Sequence, residues 1–182
     1  MNYNEQTIKD IFYSGSHSFR VDKQLIVNIC FLLEKNLLSV KEEKFASVDI
    51  YHNYIEDIKD GKIPVIDIEG GQIGHMALKL IGRDYLEKKG FKDIKFESEF
   101  EGYKPDVTTK DRKIIIECGS TNPDKIFHYF KNKNLEKVIA VPCPDSDDED
   151  IYFYTFTPGE ELSEFLFFRE REEFKNVRNN SK

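Results

Sequence analysis

The sequence predicts an α/β fold in which a mixed β-sheet is flanked by helices. Residues 91–100 alternate between apolar and polar side chains, as in a half-exposed strand. Two segments rich in β-branched residues, Val107–Thr109 and Lys113–Cys118, are separated by three polar residues, as in a hairpin. Apolar residues recur at helical spacing over residues 72–89 and again after Pro123.

The chain is predicted to consist of an N-terminal helical extension, residues 1–68, packed on a core of residues 69–182. A helix is predicted from Asp22 to Leu37, because apolar side chains return there every three or four positions. A weaker helical pattern covers residues 46–59, and the residues before Asp22 show little pattern.

In chain order, the core reads helix, three strands, helix and strand, followed by an acidic loop, a further strand and a C-terminal helix. The predicted ranges are 72–89, 91–100, 107–109, 113–118, 123–134 and 137–141, then 145–150, 151–157 and the residues from Pro158. Asn122 and Pro123 are typical of the N-cap and first position of a helix. The acidic run lacks the glycine and the final glutamate of a calcium loop, so a solvated loop is expected.

Composition indicates a folded cytoplasmic protein with no membrane span. Among the 182 residues, 39% are hydrophobic and 34% are charged, a balance typical of globular domains rather than disordered chains. No apolar run approaches the length of a transmembrane helix, and the polar start is not a signal peptide. The three scattered cysteines fit a reducing compartment better than a disulfide framework.

The net charge of −7 argues against a protein that coats nucleic acid by charge alone. The charge is unevenly distributed: residues 1–68 carry 8 basic and 11 acidic side chains, and residues 145–182 carry 5 and 11. Residues 69–144 carry 14 basic and 12 acidic side chains, which makes them the positive segment. The charge therefore permits a nucleic-acid substrate without requiring one.

Two acidic residues stand at the predicted hairpin. Asp106 follows Pro105, and Glu117 closes a run of three isoleucines. In an antiparallel pair their side chains can converge, and two buried carboxylates need a cation between them, for which Mg²⁺ is a simple candidate. The alternatives are that Asp106 is a turn residue and that Glu117 forms a structural ion pair with a lysine.

This order of elements around Pro105-Asp106 and Glu117 resembles the PD-(D/E)xK nuclease superfamily, which has the restriction-endonuclease-like fold. The resemblance extends from about Glu69 to Val141. It implies an α-β-β-β-α-β core and a metal-dependent endonuclease that acts on DNA rather than RNA. It also implies that Mg²⁺ or Mn²⁺ is held by Asp106, Glu117 and the backbone carbonyl of Cys118.

The chain departs from this family at one position, because the motif lysine is replaced by Gly119. Lys125, in the first turn of the next helix, is the first candidate to replace it, and Lys104 is the second. Asp106, Glu117 and Lys125 are thus the predicted catalytic residues. The alternative for Lys125 is an ordinary lysine on a helix surface.

In the family, the first core helix often adds a polar group to the metal site. Glu69, Gln72 or His75 could do so here, and His75 could instead fill a half-buried position. A thiol nucleophile at Cys118 with His128 as base is a further, weaker alternative.

Two other function classes compete with a nuclease. One is an inactive nuclease-like domain that serves in DNA or protein binding or in assembly, which the glycine at position 119 favours. The other is an unrelated α/β module in which the two acidic residues are structural. A homodimer paired through the N-terminal helices is also predicted, and it is compatible with either of these two function classes.

Overall fold

The computed structural model describes residues 3–14, 21–64 and 73–169, which form an α/β fold with a six-stranded mixed sheet flanked by helices. The helices are α1 (Glu5–Tyr13), α2 (Lys23–Glu34), α3 (Val48–Lys59), α4 (Ile73–Lys88) and α5 (Asp124–Tyr129). The strands are β1 (Leu38–Ser47), β2 (Lys95–Phe96), β3 (Val107–Thr108), β4 (Ile114–Cys118), β5 (Lys137–Val141) and β6 (Asp150–Pro158). Residues 162–169 are also helical. No helix within the described ranges is long and apolar enough to cross a lipid bilayer.

The strands lie in the order β1-β6-β5-β4-β3-β2, which confirms that the predicted hairpin and the strand at residues 137–141 share one sheet. β4 and β5 are parallel, and the other neighbouring strands are antiparallel. A parallel pair needs a crossover connection, and here the connection contains α5. β4 lies inside the sheet, and all five of its residues are buried.

α4 and α5 cover opposite faces of the sheet. Successive side chains of a strand point to opposite faces. Ile115 of β4 packs in one hydrophobic cluster with Tyr129 of α5. Its neighbour Ile116 packs in another cluster with Leu78 of α4. Side chains at the end of β4 can therefore contact either helix.

The prediction that residues 1–68 form a helical extension is wrong for residues 38–47. These residues form β1, which pairs with β6 and is an edge of the same sheet. Only Leu38 and Ala46 of β1 are buried, and charged side chains occupy its middle. The strand therefore lacks the apolar alternation by which a half-buried strand is recognised.

Helix α1 was also missed by the sequence analysis. The side chain of Asn4 caps it, and Ile8, Ile11 and Phe12 are its buried residues. The end of α1 is joined to the turn after β4, because the backbone N–H of Thr121 donates a hydrogen bond of 2.7 Å to the carbonyl of Phe12. The first helix thus braces the turn beside the candidate site.

The strand predicted at residues 91–100 is much shorter in the structure. Only the two residues of β2 pair with β3, and Phe100 forms an isolated bridge with Tyr103. Asp93 and Glu97 have positive φ values of 56° and 48°, and this left-handed backbone interrupts an extended strand on both sides of β2.

The helix predicted at residues 123–134 ends at Tyr129. The side chain of Asn132 accepts a hydrogen bond of 2.9 Å from the backbone N–H of Asn134, a local contact that competes with helix continuation. Residues 145–149 are an exposed loop, as predicted for the acidic run, and the next residue begins β6.

Candidate functional site

The candidate site lies at the end of the antiparallel pair of β3 and β4. Val107 is paired with Ile116 in this ladder. Asp106 directly precedes β3 and Glu117 lies in β4, and the backbone N–H of Cys118, the residue after Glu117, donates to the side chain of Asp106. Both acidic residues are buried. The hairpin therefore brings together the two carboxylates that the sequence singled out.

Asp106 is held by the backbone of β4 and by α4. Its Oδ2 accepts a hydrogen bond of 2.8 Å from the backbone N–H of Cys118. Its Oδ1 lies 3.0 Å from Nε2 of His75 and 3.4 Å from Nζ of Lys79. His75 and Lys79 are four residues apart on α4, so both lie on the same face of that helix.

Glu117 is held by α5. Its Oε2 accepts a hydrogen bond of 2.6 Å from Nζ of Lys125, and its Oε1 accepts one of 2.6 Å from the hydroxyl of Tyr129. Lys125 and Tyr129 are also four residues apart, so side chains on one face of α5 donate hydrogen bonds to both oxygens of the carboxylate. The side chain of Glu117 is only 2% exposed, whereas that of Lys125 is 25% exposed.

Lys79 is a buried lysine at the site that was not among the predicted site residues. Its side chain is 6% exposed, and its Nζ donates to Oε1 of Glu97 as well as lying near Asp106. A buried ammonium needs such partners, because an unpaired charge away from water is strongly unfavourable. Lys79 thereby ties α4 to the residue after β2 and to the candidate site.

The environments of the two acids shift their pKa values in opposite directions. Burial alone would raise the pKa of Asp106, but the contacts from His75, the N–H of Cys118 and Lys79 hold that pKa below its usual value. Burial raises the pKa of Glu117 to about 7; the charge of Lys125 opposes this shift and the charge of Asp106 adds to it. The charge of Asp106 acts on the pKa of Glu117 in the direction predicted for like-charge repulsion, but burial is the largest cause of the shift.

Gly119 occupies a position where a side chain would be strained. Its φ is +69°, and a Cβ added there would lie 3.2 Å from Sγ of Cys143 and 3.4 Å from Nδ1 of His75. A left-handed backbone favours glycine, and the neighbouring space is already filled. A side chain at position 119 would therefore strain the backbone and crowd Sγ of Cys143.

The residues at the site suit a hard divalent cation that keeps some of its waters. Within the described residues, no group of three or more His, Cys, Asp and Glu side chains could hold a metal ion. Mg²⁺ commonly binds through one or two carboxylates and completes its shell with water and substrate phosphate. Asp106, Glu117 and the carbonyl of Cys118 would supply this oxygen set. The raised pKa of Glu117 indicates that the protein's own cations only partly compensate this carboxylate.

The structure brings together Asp106, Glu117, Lys125 and the accessory candidate His75. The described partners of the two carboxylates are His75, Lys79, Lys125, Tyr129 and the backbone N–H of Cys118.

The other accessory candidates, Glu69 and Gln72, lie outside the described residues. Two site residues were missed, Lys79 and Tyr129. Tyr129 could have been found from its spacing of four residues from Lys125, and Lys79 from its spacing of four residues from His75.

The thiol alternative receives no support from the geometry. Burial holds the pKa of Cys118 well above its usual value, so the thiolate is disfavoured. Nε2 of His128 contacts the backbone carbonyl of Glu101 at 2.6 Å.

Comparison of the chain with protein-family models, with curated proteins and with solved structures found no match. The fold and the site together define an α/β protein with a buried carboxylate pair, compensated by one lysine from each flanking helix.

Proposed function

We propose that this protein is a metal-dependent phosphodiesterase, an endonuclease that acts on DNA. The observation that carries the proposal is the contact of Lys125 with Glu117 beside Asp106 at the end of the hairpin. Two carboxylates and a partly exposed lysine are the groups that metal-assisted hydrolysis of a phosphodiester requires.

The order of elements supports the same proposal. From α4 to β5 the chain runs helix, three strands, helix and strand, which is the order expected of a restriction-endonuclease-like core. β4 lies between the antiparallel β3 and the parallel β5. Lys125 approaches Glu117 from α5, as the proposed replacement for the lysine absent at Gly119 would have to do.

Each residue has a distinct role in the proposed reaction. Asp106, Glu117 and the carbonyl of Cys118 would hold Mg²⁺ or Mn²⁺. The ion would supply an acidified water and neutralise charge on the phosphate. Lys125 would orient the attacking water and stabilise the negative charge that develops on the phosphate. Tyr129 and the N–H of Cys118 would keep the two carboxylates in place.

The alternative is a catalytically inactive nuclease-like domain that binds DNA or protein or serves in assembly. The observation that favours it is that all four carboxylate oxygens already have protein partners. A homodimer remains a prediction under both functions.

A cleavage assay separates the two functions. Supercoiled plasmid and single-stranded DNA are incubated with the protein at about pH 8, above the pKa of Glu117, with Mg²⁺, Mn²⁺ or EDTA. We expect cleavage with either metal and none with EDTA. Lys125→Ala should lower the rate by at least about 100-fold, because it removes a group that stabilises the transition state.

Lys113→Ala is the matched control. Lys113 forms an ion pair of 2.7 Å with Glu136 next to the opposite end of β4, so its removal changes the net charge equally. This variant should cleave like the wild type. Absence of cleavage with every metal and substrate would reject the nuclease and leave the binding function, whereas full activity of Lys125→Ala would reject the role of that lysine.

A further inference from the structure

The two oxygens of Glu117 are held by partners of different mobility. Oε1 accepts from Tyr129, a fully buried residue on the core side of α5. Oε2 accepts from Lys125, whose side chain is 25% exposed and ends in a flexible stem. The first contact is fixed by packing, and the second can be exchanged without disturbing the core.

Asp106 repeats this pattern only in part. Its Oδ2 accepts from the backbone N–H of Cys118, which belongs to the sheet and cannot leave. Its Oδ1 faces His75, whose side chain is 30% exposed, but it also lies 3.4 Å from Nζ of the buried Lys79. Glu117 is therefore the carboxylate with one oxygen held by the core and one held by a partly exposed partner.

A divalent cation bound to Glu117 would come close to Lys125 at Oε2, the oxygen whose partner can be exchanged. Carboxylate oxygens bind Mg²⁺ at about 2.0–2.1 Å. The ammonium of Lys125 lies 2.6 Å from Oε2, so an ion on that oxygen and the ammonium would be like charges in close contact within a buried site. The repulsion between these two cations opposes simultaneous short contacts with the same oxygen.

We propose that Lys125 and a divalent cation compete for Oε2 of Glu117, so that metal entry releases the lysine toward the mouth of the site. This inference rests on the proposed function and adds how the site is regulated. In the metal-free protein Lys125 compensates the buried carboxylate. Once released, its ammonium is available to the incoming phosphate. Lys125 thus lowers the metal affinity of the site. When metal is bound, the site presents the ammonium of Lys125 to its substrate.

Isothermal titration of the protein with Mg²⁺ alone tests the competition without any cleavage. The titrations are run at about pH 8.5, where Glu117 is mostly ionised in the wild type. Lys125→Met should bind Mg²⁺ about tenfold more tightly than the wild type, a coupling of ordinary size between competing ligands. Lys125→Arg, which keeps the positive charge, should bind like the wild type. Lys125→Gln repeats the test if Lys125→Met does not fold.

Two control variants separate the possible failures. Asp106→Asn should lose Mg²⁺ binding, which identifies the site being titrated. Lys113→Met should leave the affinity unchanged; an equal tightening in this variant would make the effect one of net charge and overturn the inference. If Asp106→Asn abolishes binding but neither Lys125→Met nor Lys125→Gln binds more tightly, the competition is refuted and the metal site stands. If the wild type and the Lys125 variants bind no Mg²⁺, both the competition and the proposed function fail.

Discussion

The two lysines of the site differ in what surrounds them, although both contact a buried carboxylate. Lys79, on α4, is 6% exposed and touches Glu97 as well as Asp106. Lys125, on α5, is 25% exposed, and its described ion pair is with Glu117. A buried ammonium between two acids cannot leave without exposing uncompensated charge, whereas a lysine at the rim can change partners. The two lysines, on opposite faces of the sheet, thus differ in their freedom to change partners.

The largest expected effect on stability comes from Lys79. Lys79→Met should lower the free energy of unfolding by about 3–5 kcal/mol, because it leaves Glu97 and Asp106 without their buried partner. Lys125→Met should lower it by about 1 kcal/mol at about pH 6, since the partly exposed lysine can leave while Glu117 takes up a proton. Urea unfolding of both variants measures the difference. Equal losses would contradict the division between a structural and an exchangeable lysine.

The pKa of Glu117 should make stability depend on pH. This pKa is raised from an ordinary value of 4.5 to about 7 in the folded protein. Between these values the folded state keeps a proton that the unfolded state has released, so stability should fall as the pH rises from 4.5 to 7. The loss amounts to about 3 kcal/mol at 1.36 kcal/mol for each pKa unit.

Unfolding of the wild type and of Glu117→Gln at about pH 5 and pH 8 measures this term, because glutamine does not titrate in this range. The lowered pKa of Asp106 acts at more acidic pH, below its ordinary value of 3.8, and leaves this window unaffected. The difference in stability between pH 5 and pH 8 should be smaller in Glu117→Gln by about the amount above. An identical pH dependence in both proteins would show that the two carboxylates are equally compensated.

The smallest expected effect on stability concerns Gly119, in the turn after β4. Gly119 and Gly61 have nearly equal φ values of 69° and 71°, but no atom lies within 4 Å of a Cβ built at Gly61. Gly61→Ala should therefore report the backbone penalty alone, about 1–2 kcal/mol. Gly119→Ala should cost about 1–2 kcal/mol more, because its methyl group meets Cys143 and His75. Thermal unfolding measures both, and combining Gly119→Ala with Cys143→Ala should recover part of the excess.

The sequence was informative where local pattern and burial agree. The three consecutive isoleucines of β4, the helical spacing in α4 and the short apolar β5 were predicted with ends close to those observed. Strand β1 was missed because its middle is charged, a pattern typical of edge strands. The pairing of β1 with β6 depends on contacts between distant parts of the chain, which a local pattern does not carry.

The residues of the candidate site were likewise predictable only where the local sequence pattern indicated them. Asp106 and Glu117 were identified from their places in a hairpin, and Lys125 from its position in the turn of helix after β4. The pairing of Lys79 with Glu97 could not be predicted, because Glu97 lies eighteen residues away on a segment whose backbone departs from a regular strand. The role of a lysine on an apolar helix can be assigned only when its acidic partners are known.

The pairing of β1 with β6 sets an order of events during synthesis of the chain. The hydroxyl of Ser39 donates to the carbonyl of Thr157, a contact between residues 118 positions apart. β1 is therefore synthesised well before β6, the strand with which it pairs. Until β6 has been made, β5 also lacks its antiparallel neighbour. Such distant contacts slow folding, and the nascent chain must hold unpaired strand edges until β6 has been translated.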